Sequence, residues 1–192
     1  MIGRTIDELV VGDVADLSRA VSEGDIAGFV DAVGDRNPIH SDSAFAATTS
    51  FRAPIAPGIW TAGLISGVIG TRLPGPGSIY ETQELKFLRP VRMGDTITAR
   101  IEVVEIVRER NRVRLKTTCV NQRGEEVLSG EAWVLPPKIS VHYAESGNGI
   151  GALAGWALQP WAWTAQALTL WAVWATLPLA CGTVRRRGML HP

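Results

Sequence analysis

Hydrophobic residues recur at helical spacing near the start of the chain. Four of them, at positions i, i+3, i+4 and i+7, share one face of a helix: Ile26, Phe29, Val30 and Val33. Ser22 and Asp25 precede this face with the form of a capping box, in which Asp replaces the usual Glu or Gln. The pattern therefore predicts a helix that begins after Ser22 and ends at Gly34.

An uncharged segment follows from residue 53 to residue 71. A run of this length can indicate a membrane span, but prolines and four glycines interrupt it. They leave a helix of about 13 residues, 58–70, that is apolar on all sides. Such a helix is typical of one enclosed by other elements. Pro38 and Pro54 predict an irregular segment over residues 35–57.

Four segments after this helix are predicted to be strands: residues 79–88, 96–106, 113–120 and 127–135. Segments 96–106 and 113–120 alternate apolar and polar residues with a period of two, as strands with one buried face do. The polar breaks at 109–111 and 121–124 predict antiparallel hairpins. The order of elements predicts an α+β domain in which a curved antiparallel sheet wraps around the central helix, although other α+β domains share this order.

Charge is unevenly distributed along the 192 residues, whose formal net charge is zero. The first 145 residues contain 16 Lys and Arg against 19 Asp and Glu, so no basic face for nucleic acid is expected. Asp7 and Glu8 stand where a signal peptide requires an apolar run, which predicts a cytoplasmic protein. The two cysteines, Cys119 and Cys181, lack metal-ligand spacing, and no metal site is expected.

The candidate chemistry lies between the two predicted helices. Asp35 and His40 are five residues apart in a segment containing Pro38, so both side chains can point into one pocket. Addition of water to an activated double bond requires one group that takes a proton from water and one that gives a proton to carbon. An Asp/His pair can supply both. The same residues also fit an Asx-type turn with a partly exposed histidine.

Longer motifs surround this pair. They are Asp35-x-Asn37-Pro38-x-His40 with Asp42, Phe45 and Ala46, then Pro54-Ile55-x-x-Gly58, Leu73-Pro74-Gly75-x-Gly77-Ser78-Ile79-Tyr80, Phe87-x-x-Pro90-Val91-x-x-Gly94-Asp95 and Gly130-Glu131-Ala132. In this order they resemble the MaoC-like (R)-specific enoyl-CoA hydratases, especially those that supply polyhydroxyalkanoate synthesis. The resemblance covers about residues 8–137 and implies the hot-dog fold.

The resemblance also implies roles for matched residues. The catalytic pair of the family falls on Asp35 and His40, and its oxyanion contact, a backbone N–H at the start of the central helix, falls on Gly58. Glycine lets a thioester approach the backbone, and the helix dipole stabilises negative charge on its carbonyl oxygen. Asn37 is expected mainly to hold the loop, with a pocket contact as a further role. Ser66, two turns into the helix, is expected either to reach the substrate or a water, or to pack as a small residue.

The implied activity is reversible (R)-specific hydration of a trans-2-enoyl-CoA, with water activated by Asp35 and His40. No metal or redox cofactor is expected, because the substrate is a CoA thioester that already acidifies C2. Family analogy implies a homodimer. Pro57 departs from the family, in which many members have histidine, but proline is compatible with a helix start.

Two other functions remain open. An (R)-3-hydroxyacyl-carrier-protein dehydratase of fatty-acid synthesis would use the same pair in the reverse direction. A non-catalytic acyl-CoA-binding domain is disfavoured because Asp35 and His40 are both present. A thioesterase on this fold would need a carboxylate on the central helix, and residues 58–70 contain none.

The composition changes after Lys138, where the hydratase-like domain, residues 1–138, is expected to end. Residues 146–184 carry no charge, and the tail, residues 139–192, holds five of the seven tryptophans. Residues 161–181 have the ~20-residue length of a membrane span, and a cluster of arginines flanks them. The tail is interpreted as a membrane or lipid-surface anchor, as an attachment to polyester granules, or as the translation of a GC-rich gene in a shifted frame.

Overall fold

The computed structural model describes residues 1–144, which form one compact unit. Its strands are β1 (Ile2–Gly3), β2 (Val14–Ala20), β3 (Ile79–Phe87), β4 (Thr96–Val107), β5 (Arg112–Val120), β6 (Glu126–Leu135) and β7 (Val141–His142). Its α-helices are α1 (Glu23–Val33), α2 (Ser43–Thr48) and α3 (Gly58–Thr71). Within this part of the chain, no helix is both long and apolar enough to cross a membrane.

The capping box expected at Ser22 is present at the start of α1. The Ser22 hydroxyl accepts the Asp25 amide at 3.1 Å, and the Asp25 carboxylate accepts the Ser22 amide at 3.0 Å. The Ser22 hydroxyl also donates to the Asp25 carboxylate, and this bond, the contact with Arg19 and the bond from the Ser22 amide lower the pKa of Asp25 to about 2. Gly34 ends the helix in the left-handed conformation that favours glycine, with φ 75°. The predicted helix is therefore confirmed at both ends.

Five strands form an antiparallel sheet in the order β2-β4-β5-β6-β3. The hairpins that join β4 to β5 and β5 to β6 confirm the two polar breaks. Strand β2 was not expected, because its short and polar side chains give only weak alternation. As an edge strand paired with β4 alone, it is placed by the tertiary fold more than by its own sequence.

The core lies between one face of this sheet and α3. The predicted alternation of β4 and β5 is confirmed, since every inward residue is fully buried: Ile97, Ala99, Ile101, Val103, Val113, Leu115, Thr117 and Cys119. From α3 they are met by buried residues that include Trp60, Leu64, Ile65, Val68 and Ile69. Burial of about a dozen such side chains is the main stabilising contribution.

The sheet does not enclose α3 on all sides, which corrects the expectation for an entirely apolar helix. Ile59, Gly63, Ser66 and Gly70 form an exposed strip along the helix. Except for Ile59 these residues are small, so hydropathy alone hid the exposed face. The edge of the sheet at β3 is also open, with Ile79 and Phe87 more than half exposed.

The segment expected to be irregular, residues 35–57, contains the short helix α2 and a single 3-10 turn, Pro38–His40. Asp42 caps α2 by accepting the amide of Phe45 at 3.0 Å. At the other end of the chain, β7 pairs with β1 and continues the compact unit beyond Lys138. The tail from residue 145 onward, with the anchor, granule and frame-shift interpretations, lies outside the described residues.

Candidate functional site

The segment after α1 turns sharply and holds its own side chains in place. Gly34 ends the helix, and the side chain of Asn37 accepts the amide of Ile39 at 3.2 Å. This bond caps the 3-10 turn that carries His40. Asp35 Oδ1 accepts the amide of Asn37 at a longer 3.4 Å. Asn37 therefore holds the loop, as expected, and its contact with substrate stays a prediction.

The ring of His40 is oriented by a backbone carbonyl. Its Nδ1 atom lies 2.8 Å from the carbonyl oxygen of Ile55. A carbonyl oxygen only accepts hydrogen bonds, so Nδ1 carries the proton and Nε2 of the neutral ring keeps a lone pair. Nε2 faces Asp35, whose Oδ2 atom lies 3.5 Å away.

Asp35 and His40 differ in their access to solvent. The His40 side chain is 10% exposed, whereas that of Asp35 is 41% exposed. The pair is therefore open on the Asp35 side and closed on the side of the imidazole. The carboxylate oxygen of Asp35 and the Nε2 atom of the neutral His40 ring are both hydrogen-bond acceptors. At this spacing both can contact one small polar molecule. The structure thus brings together the two residues that the sequence singled out.

Gly58 follows the loop that orients His40. Ile55 lies only three residues before Gly58, a separation that a fully extended chain covers in about 10 Å. Helix α3 starts at Gly58, and Pro57 supplies no side-chain cap to it. The first amides of a helix lack intrahelical acceptors. The start of α3 thus presents backbone donors within about 10 Å of Ile55, whose carbonyl holds His40.

A pocket of about 430 Å³ lies beside Gly58. Its walls come from the loop before α3, through Phe51 and Ile55, and from the end of β3, through Phe87 and Arg89. His40 and Asp35 do not line it. His40 instead borders a smaller pocket of about 220 Å³ on the α1 side. Ile55 joins the two regions, because it lines the larger pocket and its carbonyl holds His40.

Ser66 lies on the exposed strip of α3. It shares this strip with Gly63 and Gly70, so its predicted role in substrate contact stays a prediction. Ile55 and Phe87 line or orient the site but were not predicted as site residues. Both stand in the motifs that resemble the family, but the contribution of Ile55 is a backbone atom and carries no side-chain signal.

Two titratable groups have raised pKa values: the Cys119 thiol, which is buried against α3, and Tyr80 on β3, which is 38% exposed. Burial raises the pKa of the Cys119 thiol to about 12, and burial followed by the proximity of Cys119 raises the pKa of Tyr80 to about 12. Both groups are therefore neutral near neutral pH and supply no charge to the site. In residues 1–144 no group of three His, Cys, Asp or Glu side chains is placed to hold a metal ion.

Comparison with known proteins gives a consistent result. The family model described as "MaoC like domain" matches residues 10–125. A 3-hydroxybutyryl-CoA dehydratase of Methylorubrum extorquens is 50% identical over 132 residues, which cover 69% of this chain and 83% of the relative. An (R)-specific enoyl-CoA hydratase of Rhodospirillum rubrum is 46% identical over 131 residues, covering 68% of this chain and 90% of the relative.

A solved structure agrees with these relatives. The (R)-hydratase from A. caviae involved in PHA biosynthesis superposes with a TM-score of 0.65 at 43% identity. The match covers 67% of this chain and 98% of that structure. This likeness confirms the hot-dog fold that the sequence motifs implied.

Proposed function

Because this chain belongs to the MaoC-like domain family, we propose that it is an (R)-specific enoyl-CoA hydratase. It adds water reversibly across the C2–C3 double bond of a trans-2-enoyl-CoA and forms the (R)-3-hydroxyacyl-CoA. The observation that carries the proposal is the pairing of Asp35 with His40, whose Nδ1 atom donates to the carbonyl of Ile55, so that Nε2 of the neutral ring keeps its lone pair toward Asp35. The relative from Rhodospirillum rubrum is named for (R)-specific hydration of enoyl-CoA, and the one from Methylorubrum extorquens for dehydration of 3-hydroxybutyryl-CoA.

The proposed reaction uses the pair as one unit. Asp35 and His40 bind a water molecule and remove one of its protons as the water oxygen bonds to C3. The pair returns a proton to C2, so that one H and one OH are added in total. The thioester carbonyl gains negative charge during this step. The backbone donors at the start of α3, with Gly58 foremost, stabilise that charge.

The decisive experiment is hydration of crotonyl-CoA and longer enoyl-CoAs, followed by loss of the enoyl absorbance, with the chirality of the product determined. We expect the (R) product and loss of turnover in the Asp35→Asn variant. Formation of the (S) product, or turnover that survives that substitution, contradicts the proposal.

The matching enoyl thioester of an acyl carrier protein tests the second candidate, a dehydratase of fatty-acid synthesis. A higher kcat/KM on the carrier protein than on CoA of the same acyl chain would favour it. We expect a higher kcat/KM on CoA than on the carrier protein, since both relatives above are named for CoA thioesters.

The proposal includes a homodimer. Strand β3 pairs only with β6 within residues 1–144, so its other edge presents unpaired backbone groups. Beside this edge, Ile59 is 58% exposed and Ile79 is 62% exposed. Antiparallel pairing of two β3 strands around a twofold axis would satisfy both edges and cover both residues.

Light scattering on the purified protein checks this assembly. We expect twice the 20.7 kDa chain mass. Ile79→Lys should weaken the dimer, and Val11→Lys, at a residue that is 63% exposed and away from β3, should not. A monomer at all concentrations, or equal effects of the two variants, contradicts the assembly through β3.

We propose further that the reaction needs no cofactor and takes place in the cytoplasm, with supply of polyester synthesis as its use. Activity that survives exhaustive dialysis against a chelator supports the first point, and cell fractionation checks the second. Dependence on an added metal would contradict the mechanism built on Asp35 and His40.

A further inference from the structure

We propose that Arg92 is a positioning residue for His40, acting through the loop that carries Ile55. This inference rests on the proposed function, in which His40 acts on water. Arg92 occupies a variable position of the motif Phe87-x-x-Pro90-Val91-x-x-Gly94-Asp95, for which the sequence predicts no role. We call residues 91–95 the bracing turn and residues 49–57 the support loop.

The support loop is bonded to the segment of His40 on one side. Its Ile55 amide donates to the carbonyl of Ile39 at 3.3 Å, and its Ile55 carbonyl accepts from Nδ1 of His40 at 2.8 Å. A shift of this loop therefore moves the acceptor that fixes the proton of the imidazole on Nδ1.

The bracing turn holds the support loop from the other side. The amide of Ala56 donates to the carbonyl of Val91 at 2.8 Å. The guanidinium of Arg92 donates through Nη2 to the carbonyl of Phe51 at 2.7 Å, and this contact is partly buried. Arg92 is thus the side chain that ties the far end of the support loop.

The support loop needs such a tie because it contains an unfavourable backbone conformation. Arg52, directly after Phe51, has φ 62°, a left-handed value that is unfavourable for a non-glycine residue. A residue persists in this conformation when its surroundings fix it. The bond from Arg92 to the adjacent carbonyl is one such restraint.

The bracing turn is itself anchored to the start of α1. The amide of Gly94 donates to the carbonyl of Val21 at 2.9 Å, and the amide of Val21 donates to the carbonyl of Asp95 at 2.8 Å. The Asp95 carboxylate accepts the amide of Arg92 at 2.9 Å. One turn therefore contacts both the base of the helix that leads to Asp35 and the loop that orients His40.

Substitution of Arg92 in the full-length chain tests the inference. Arg92→Met removes the donor and keeps the length, Arg92→Gln is a milder second variant, and Arg92→Lys restores one donor. Arg72→Met is the matched control, because the Arg72 guanidinium also donates to a backbone carbonyl, that of Asp16, at the opposite end of α3. The ring tautomer is read by ¹⁵N NMR, since the chain has only three histidines and His40→Gln assigns the signal.

We expect wild-type His40 to be protonated on Nδ1 when neutral, and the Met and Gln variants to mix both tautomers. Their kcat should fall by ~10-fold or more, with KM changed less than twofold, because displacement of a positioned group affects the chemical step. Arg92→Lys should recover at least half of the loss in log kcat. Arg72→Met should match the wild type in tautomer and kcat.

A wild-type tautomer in the Met variant, or in the Gln variant if the Met variant does not fold, overturns the inference, whatever the change in melting temperature. The tautomer measurement needs no turnover. Absence of hydratase activity in the wild type would therefore reject the proposed function while the role of Arg92 is still decided by NMR.

Discussion

The ring of Phe87 lies against Gly58 so closely that a Cβ atom on Gly58 would stand 2.8 Å from Cε1 of the ring and 3.1 Å from Cδ1. Gly58 begins α3, and Phe87 is the last residue of β3. Separations below 3 Å between carbon atoms are not tolerated, so one of the two groups must move if a side chain is added. This close contact is a packing reason for glycine at position 58, in addition to the room that a thioester needs next to the backbone.

This contact shapes the first prediction, which concerns Gly58→Val. We expect turnover to fall by about 10², the scale of a lost oxyanion donor, because the side chain blocks the thioester and displaces Phe87. Gly28→Val is the matched control, since Gly28 lies in α1 and a Cβ there meets no atom within 4 Å among residues 1–144.

The double variant Gly58→Val/Phe87→Ala separates the two causes. Removal of the Phe87 ring relieves the clash. If activity returns in the double variant, packing alone caused the loss of activity in Gly58→Val. If the activity of the double variant stays low, the side chain at position 58 acts on the backbone and its contact with the thioester. A fully active Gly58→Val variant would place the oxyanion contact elsewhere.

The second prediction concerns the proposed catalytic pair. Asp35→Asn and His40→Ala should each lower turnover by at least ~10², as expected for a positioned acid or base. Folding should survive, because the Asp35 side chain is 41% exposed and His40 stands in a loop at the edge of the core. Steady-state kinetics with circular dichroism measure both effects.

Asp7→Asn and His142→Ala serve as controls for these variants. Asp7 is exposed on a 3-10 turn and His142 is exposed on β7, away from the site. Both should keep wild-type turnover. Near wild-type turnover of either site variant would remove that residue from the mechanism.

The third prediction concerns the stability of α1. Ser22→Ala removes the N-cap and should lower the free energy of unfolding by about 1 kcal/mol. The pKa of Asp25 is lowered from 3.8 to about 2 in the folded protein. The ionised carboxylate therefore stabilises the fold above pH about 4, and this contribution is lost as the pH falls toward 2.

Denaturant unfolding at several pH values tests whether the free energy of unfolding falls on acidification because of Asp25. The Asp25→Asn variant should be less stable than the wild type at pH 7 and should lose less stability on acidification from pH 4 to pH 2. Equal acid sensitivity of the two proteins would show that Asp25 does not carry the effect.

The fourth prediction concerns the boundary of the catalytic unit. A chain that ends at Ala144 should be soluble, dimeric and as active as the full-length protein, because the compact unit ends there. A chain that ends at Lys138 should unfold more easily, since it lacks β7, which pairs with β1 through Ile2 and Gly3. The full-length chain should be less soluble, because residues 146–184 carry no charge.

Activity and melting temperature of the three chains test these expectations. Loss of activity in the chain ending at Ala144 would show that the tail acts on the domain. If that chain is active, sequencing the gene across the codons for residues 136–150 distinguishes a shifted frame from a selected tail. Membrane sedimentation with an intact frame would then indicate an anchor.

The sequence by itself determined the elements whose signals are local. The capping box at Ser22 and the left-handed glycine at position 34 define α1 without help from the rest of the chain. The period-two alternation of β4 and β5 matches their burial, because one face of each strand meets the core. Asp35 and His40 were candidates from their spacing and from the family resemblance, since a short loop keeps residues five apart near each other.

Tertiary structure decided the features that depend on atoms distant in the chain. Edge strand β2 forms because β4 offers it a partner, and its own residues alternate too weakly to predict it. The proton of His40 is placed by the carbonyl of Ile55, a backbone group that every residue type possesses and no motif can mark. The contact of Phe87 with Gly58 joins residues on two elements, and only the packing of β3 beside α3 brings the ring there.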